Sequence, residues 1–471
     1  MDIKTHVLKA LGFLLFACFL SCASNHINPL NTIEQNIFSS EWSAAIAVIE
    51  SDQAQRSLYP RRNSLLFHLD RGVVRHYAGF WRDSINDLLE AEKFIEAAFT
   101  RSITQEIGTF IANDNTRDYP GEDYEDIYIN VFNALNFYHL NNLEGALVEI
   151  RRVNEKLRDL SVKYERARQR IVRSNSELDS PEYNIEAVRF SNSALARYLG
   201  VLFYRAIGNY DSARVDMEGL YNAYRLAPEV YNHALPSSLE SELSIPENMA
   251  RLNIIGFTGL SPRKEEFNTF IPLPLEPPNH RTRLALPRLA DRTSAINRVE
   301  VIINNEHSSP ASDAERFNLD LLENIDNVVK ETFKANYSLI VLKSTARTIA
   351  KSVAAAGVSA AVRNSDDEEE LDEGDREERE RRERERNNND LLGAIISIAS
   401  RVVVDLSEQA DIRMARFLPG AAYVGGINLV PGVYTVTVNY YGSNGLVASE
   451  RQHNIRIREG NLNLVEFICL R

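Results

Sequence analysis

Apolar positions change their period three times along this chain. Residues 1–22, "MDIKTHVLKALGFLLFACFLSC", carry an unbroken apolar run, Ala10–Leu20, behind Lys4 and Lys9. From residue 32 to about 228, apolar residues recur at steps of three and four, the spacing of amphipathic helices packed on one face. Prolines then crowd in, notably in "FIPLPLEPPNHR" (270–281). Alternating runs follow, one through Val299, Val301 and Ile303 and others in "PGVYTVTVNYYGSNGLVASERQHNIRIREGNLNLVEFICL". A period of two predicts strands, and Gly442-Ser443-Asn444-Gly445 and Glu459-Gly460-Asn461 read as the turns between them.

These changes predict an α+β chain that is mostly α: a helical-hairpin array followed by a small β-sandwich-like module with an inserted helical hairpin. The expected order is a leader (1–21), a tether (22–31), a helical domain (32–228) and a proline-rich linker or crossing segment (229–282). A small β module follows, from 283–306 and 411–471, with 307–410 inserted as the helical hairpin. In that insertion Leu339, Leu342, Ala346, Ile349 and Val353 form one apolar stripe, and "LLGAIISIASRVVVDLSEQA" (391–410) reads as its antiparallel partner. Between them, 364–390 is a charged segment with no core to bury, expected to stay solvated and disordered.

Four helical stretches share one internal spacing. Ser40, Gly79, Asn141 and Gly208 fall at the turn between two helices; Trp42, Trp81, Leu143 and Tyr210 come two residues later. The small residues Ala45, Ser84, Ala146 and Ala213 follow, then Ile49, Leu88, Ile150 and Met217. A residue tolerant of positive φ ends the first helix, and a small residue lets the second approach it. The pattern resembles degenerate tetratricopeptide repeats, although the anchors lie further apart than that family's repeat of about 34 residues. One of the intervening insertions, 151–180, is polar enough to be a projecting helical arm. The resemblance implies a concave face lined by the first helix of each pair. Carried over position by position, it puts His76, Tyr77, Tyr128, Tyr138, Tyr198 and Arg205 on that face. Aromatic and arginine side chains there imply a groove for a protein or peptide.

Composition narrows the setting. Ala10–Leu20 is shorter than the roughly 20 residues a spanning helix needs, so 1–21 reads as a secretory leader. Phe19-Leu20-Ser21-Cys22 resembles a relaxed bacterial lipobox, which implies cleavage before Cys22 and lipid on its sulfur; Leu15-Phe16-Ala17-Cys18 is the competing box. The net charge of −13 disfavours nucleic acid as a partner. With three cysteines, Cys18, Cys22 and Cys469, no disulfide framework is expected, and Cys469 reads as a small core residue on the last strand.

No nucleotide, zinc-protease or hydrolase motif occurs, and the nine histidines are scattered. No cofactor, metal or catalytic residue is implied. A hydrolase built on Glu122, Asp123, Glu125 and Asp126 is the weak exception. As a whole, the order of parts resembles a group of bacterial envelope lipoproteins. That resemblance implies a lipid-anchored, periplasm-facing scaffold or adaptor, at the outer membrane more than the inner, binding envelope proteins or peptides through its repeats. The alternative is a regulatory or assembly subunit of a cell-wall synthesis or export machine, with the β module as its contact.

Overall fold

The computed structural model describes residues 28–104, 117–174, 192–272, 281–306, 314–337 and 410–471, together with 190, 340, 341 and 344. The expectations for the leader, for Cys18 and Cys22, for the charged segment 364–390 and for its helical partner lie outside the described residues. The chain divides into two compact units, Met1–Leu58 and Tyr59–Arg471.

The described part of the first unit is three helices, α1 (Pro29–Phe38), α2 (Trp42–Glu50) and α3 (Asp52–Ser57). Asn28 caps α1 by accepting from the Leu30 amide, and Pro29 occupies the first turn, where no amide hydrogen is needed. Helix therefore begins inside the segment expected to be a tether. Ser40 turns the chain with φ of 59°, and Ile33, Ala45 and Ile49 are fully buried.

In the second unit six helices form three antiparallel pairs: α4 (Ser64–Tyr77) with α5 (Trp81–Thr104), α6 (Asp123–His139) with α7 (Leu143–Ser174), and α8 (Ala194–Ala206) with α9 (Tyr210–Leu226). Gly79, Asn141 and Gly208, the expected turn residues, take φ of 76°, 58° and 74°. Ser84, Ala146 and Ala213 are fully buried where the partners meet. Ser84 also donates to the Gly72 carbonyl at 2.7 Å, tying α5 to α4.

The remainder of the second unit corrects the expected β-sandwich. Its main part is one seven-stranded sheet in the order β8-β7-β4-β5-β6-β1-β9, antiparallel except for the parallel pair β1–β9. Its strands are β1 (Ala250–Leu260), β4 (Arg298–Asn305), β5 (Glu315–Asn324), β6 (Pro419–Leu429), β7 (Gly432–Gly442), β8 (Gly445–Ile457) and β9 (Asn463–Cys469). The edges β8 and β9 approach closely enough for side chains to span the gap. Gln452 donates to the Glu466 carbonyl and Ile468 N–H donates to the Glu450 carboxylate, so the sheet is nearly a closed barrel. Ile254, Val299, Val301, Val436, Val438 and Phe467 fill its interior beside the free thiol of Cys469.

Two boundaries move with this correction. Residues 229–282, read as a linker, contain β1, the strand buried along its whole length between β6 and β9. They also contain β2 (Arg263–Pro272), which pairs with β3 (Arg281–Ala290) as a separate ribbon. The segment read as the start of the helical insertion supplies β5 before helix α10 begins at 325. Mostly α is thus replaced by helical pairs joined to a large mixed sheet. Among the described residues, no helix is long and apolar enough to cross a membrane.

Candidate functional site

The six side chains assigned to the inner face of the helical pairs are each met by another part of the same chain, which covers them. His76, near the end of α4, sets Nε2 3.0 Å from Glu466 Oε2 on β9, with Nδ1 2.8 Å from Asn136 Oδ1. Both ring nitrogens lie within hydrogen-bond distance of an oxygen. His139 reaches the other oxygen of Glu466 at 2.6 Å. Burial alone would raise the Glu466 carboxyl. The charges of His76 and His139 and their hydrogen bonds outweigh it and hold the group well below the usual carboxylate range.

The other five follow the same rule. Tyr77 donates to the Phe417 carbonyl at 3.0 Å. Tyr138 is threaded into the backbone of β9, accepting from Leu464 N–H at 3.0 Å and donating to the Leu464 carbonyl at 3.1 Å. Tyr128 donates at 2.6 Å to Glu323 on β5, a fully buried carboxylate that also receives Tyr231, Ser193 and the Leu195 amide. Tyr198 accepts from Asn253 on β1. Arg205 donates to Glu242 at 2.5 Å and to Asn253 at 2.7 Å.

Three acidic residues therefore organise the covered face: Glu242, Glu323 and Glu466. Sequence reasoning passed over all three. Their signal is visible afterwards, since Glu323 and Glu466 are acids inside apolar strand runs, where an unpaired charge would be costly. Glu242 is paired with Arg205 and Arg251 and Glu466 with His76 and His139, whereas Glu323 is held by neutral donors and burial raises its carboxyl. Each acid lies opposite a helix-borne donor.

The four clustered acids around residue 125 serve the same packing. Glu125 caps α6, accepting from the Glu122 amide, the Tyr119 hydroxyl and, at 2.5 Å, the Ala415 amide. Burial, with the neighbouring Glu122 charge, pushes its carboxyl up to about 7. Glu122 pairs with Lys264, Asp126 with Lys156, and Asp123 accepts from Asn336. Each carboxylate is engaged by a different partner, which gives no shared pair for acid–base hydrolysis. Among the described residues, no group of three histidine, cysteine or acidic side chains is placed to hold a metal ion.

One cleft lies open beside this covered face. The β5–β6 ladder runs only from Asp320–Val424 to Asn324–Ala421, with a register shift after Leu321. Both strands continue beyond it, β5 back to Glu315 and β6 on to Leu429, and each keeps its other neighbour. Among the described residues no pair joins them across this stretch, so the strands splay. The gap is a cleft of about 290 Å³ with Phe317, Arg316, Gly425, Gly426 and Arg251 among its walls and Ser238 on its rim. The Arg251 guanidinium lies directly over Gly426, so that an added Cβ there would come within 2.7 Å of it.

No family model, curated protein or solved structure matches the chain. The likenesses to tetratricopeptide repeats and to envelope lipoproteins rest on the sequence pattern alone.

Proposed function

We propose that the chain is a binding scaffold or adaptor of the bacterial envelope, held to the membrane by lipid at Cys22, that meets its partner through the β-sheet. The observation that carries the choice of surface is the covered inner face. His76, Tyr77, Tyr128, Tyr138, Tyr198 and Arg205 each contact elements outside the helical pairs that belong to the same chain. A groove filled in this way is not open to a second protein, which favours the sheet as the contact surface of an assembly or regulatory subunit. Lipid anchoring draws its support from Phe19-Leu20-Ser21-Cys22, and the role is one of binding rather than catalysis.

Site-specific photo-crosslinking in intact cells tests this reading. A crosslinker replacing Leu446 on β8, 59 % exposed, is expected to capture an envelope protein, and one replacing Val215 on α9, 67 % exposed, is not. Capture from Val215 alone would return the contact to the helices. Loss of membrane association in Cys22→Ala would support the anchor; unchanged association would remove it.

A further inference from the structure

We infer that the cleft between β5 and β6 is a binding site for the carboxyl end of an extended peptide, an inference that rests on the binding-protein reading above. Three features of the cleft carry it. The first is backbone. Where β5 and β6 splay, residues 316–318 and 425–427 face the gap with strand edges that pair on one side only, and an entering strand can use such edges. The cleft also ends where the ladder resumes at Asp320–Val424. A strand that enters must stop there, so the site suits a chain terminus better than a mid-chain loop.

The second feature is charge. Arg251 is 2 % exposed and lines the cleft. Its Nη atoms donate to Glu242, Asn428 and the Ser238 carbonyl, while its Nε and the Ser238 hydroxyl have no hydrogen-bond partner among the described residues. Buried polar groups in native proteins are nearly always paired, so two orphans at one cleft point to a missing acceptor. Around that point Arg205, Arg251 and Arg316 stand against Glu242 and Asp320, an excess of one positive charge in a chain whose net charge is −13. Asp320, the acid on the cleft wall, already accepts from the Ser237 amide and hydroxyl.

The third is shape. Gly425 and Gly426 leave the β6 wall without side chains, and the Phe317 ring lies against Gly425 as an apolar surface. A guanidinium placed over Gly426, two residues from the blind end, sits where a terminal carboxylate would arrive. With its Nη atoms engaged, the Arg251 Nε–H is the open donor for one charge-assisted hydrogen bond to that carboxylate.

The test uses the purified full chain and two pools of mixed-sequence tetrapeptides, one with free C-terminal carboxylates and one amidated, read by affinity selection and mass spectrometry. Free-acid peptides are expected to be retained over amidated ones by about tenfold, the scale of one charge-assisted contact. Arg316→Glu and Ser241→Tyr, both at the rim rather than in the core, should each abolish that preference while leaving the melting temperature unchanged. Equal retention of both pools, retention of neither, or a preference that survives both substitutions would overturn the inference. None of these results affects capture from Leu446, so the wider reading stands or falls separately.

Discussion

β1 and β8 belong to the same sheet yet obey different rules. β1 is buried at every position from Ala250 to Leu260, with the helical pairs on one side and the barrel interior on the other. Its polar residues are not tolerated singly: Arg251 and Asn253 enter a network with Glu242, Arg205 and Tyr198. β8 is exposed or half-exposed along most of its length, and its polar side chains bond to neighbouring strands from a partly solvated surface. The contrast shows what a helical cover demands of a strand. Alternation disappears, and any polar or charged group left under the cover needs hydrogen-bonding partners delivered by another element. The open wall is under no such constraint.

The sharpest break in that contrast is Glu242→Ala. It leaves two guanidinium groups, Arg205 and Arg251, buried without their shared carboxylate. Removing one partner of a buried pair costs about 3–5 kcal/mol, so denaturant midpoints should fall steeply. A loss near zero would mean that water reaches the network and that the wall is not truly covered.

Glu125 supplies the next effect, and its sign differs from that of a paired acid. Its folded-state carboxyl lies at about 7, above its ordinary value of 4.5, so the fold favours the protonated form. As pH rises from about 4.5 to 7 the unfolded chain loses its proton first, and stability declines across that window by about 3 kcal/mol. Below it the contribution is fully present. Glu125→Gln should flatten the decline in a pH series of urea melts, and an unchanged slope would assign it elsewhere, with Asp326, also raised to about 7 by burial, as the next group to replace.

The open wall should give the smallest response. Leu446→Ser, at an exposed position on β8, should shift stability by less than about 0.5 kcal/mol. A larger loss would show that β8 is covered after all.

How much of this was legible beforehand follows from the same contrast. Turn chemistry is local, so Gly79, Asn141 and Gly208 announced the helical pairs without reference to the rest of the molecule. β7 was legible because its run "GVYTVTVNYY" alternates apolar and polar residues, although Tyr434 to Val438 are all buried. β1 was not. "ARLNIIGFTGL" has no alternation because both its faces are covered, and prolines on either side made the region look like a linker. A short continuous apolar run between turn residues was the available clue. The inner-face residues were expected to bind a partner; the repeating register picked out side chains that other parts of the same chain engage. What covers them was not readable, because the partners lie from 37 to 390 positions away in the same chain and nothing local marks Glu466 as the mate of His76.

The neighbours of β1 also set an order of events during synthesis. β1 pairs with β6 and β9, both made long after it, so this wholly apolar-flanked strand emerges with neither neighbour in existence. The helical pairs precede it. Phe132 of α6 already packs against Phe257, and Tyr198 and Arg205 already offer hydrogen bonds to Asn253. Helical pairs that fold as they are made would offer the strand a packing surface before its sheet neighbours exist. In refolding followed by pulsed hydrogen exchange, amides of α4 to α8 should gain protection before those of β1. Simultaneous protection would mean that sheet and helices condense together and that the strand never waits.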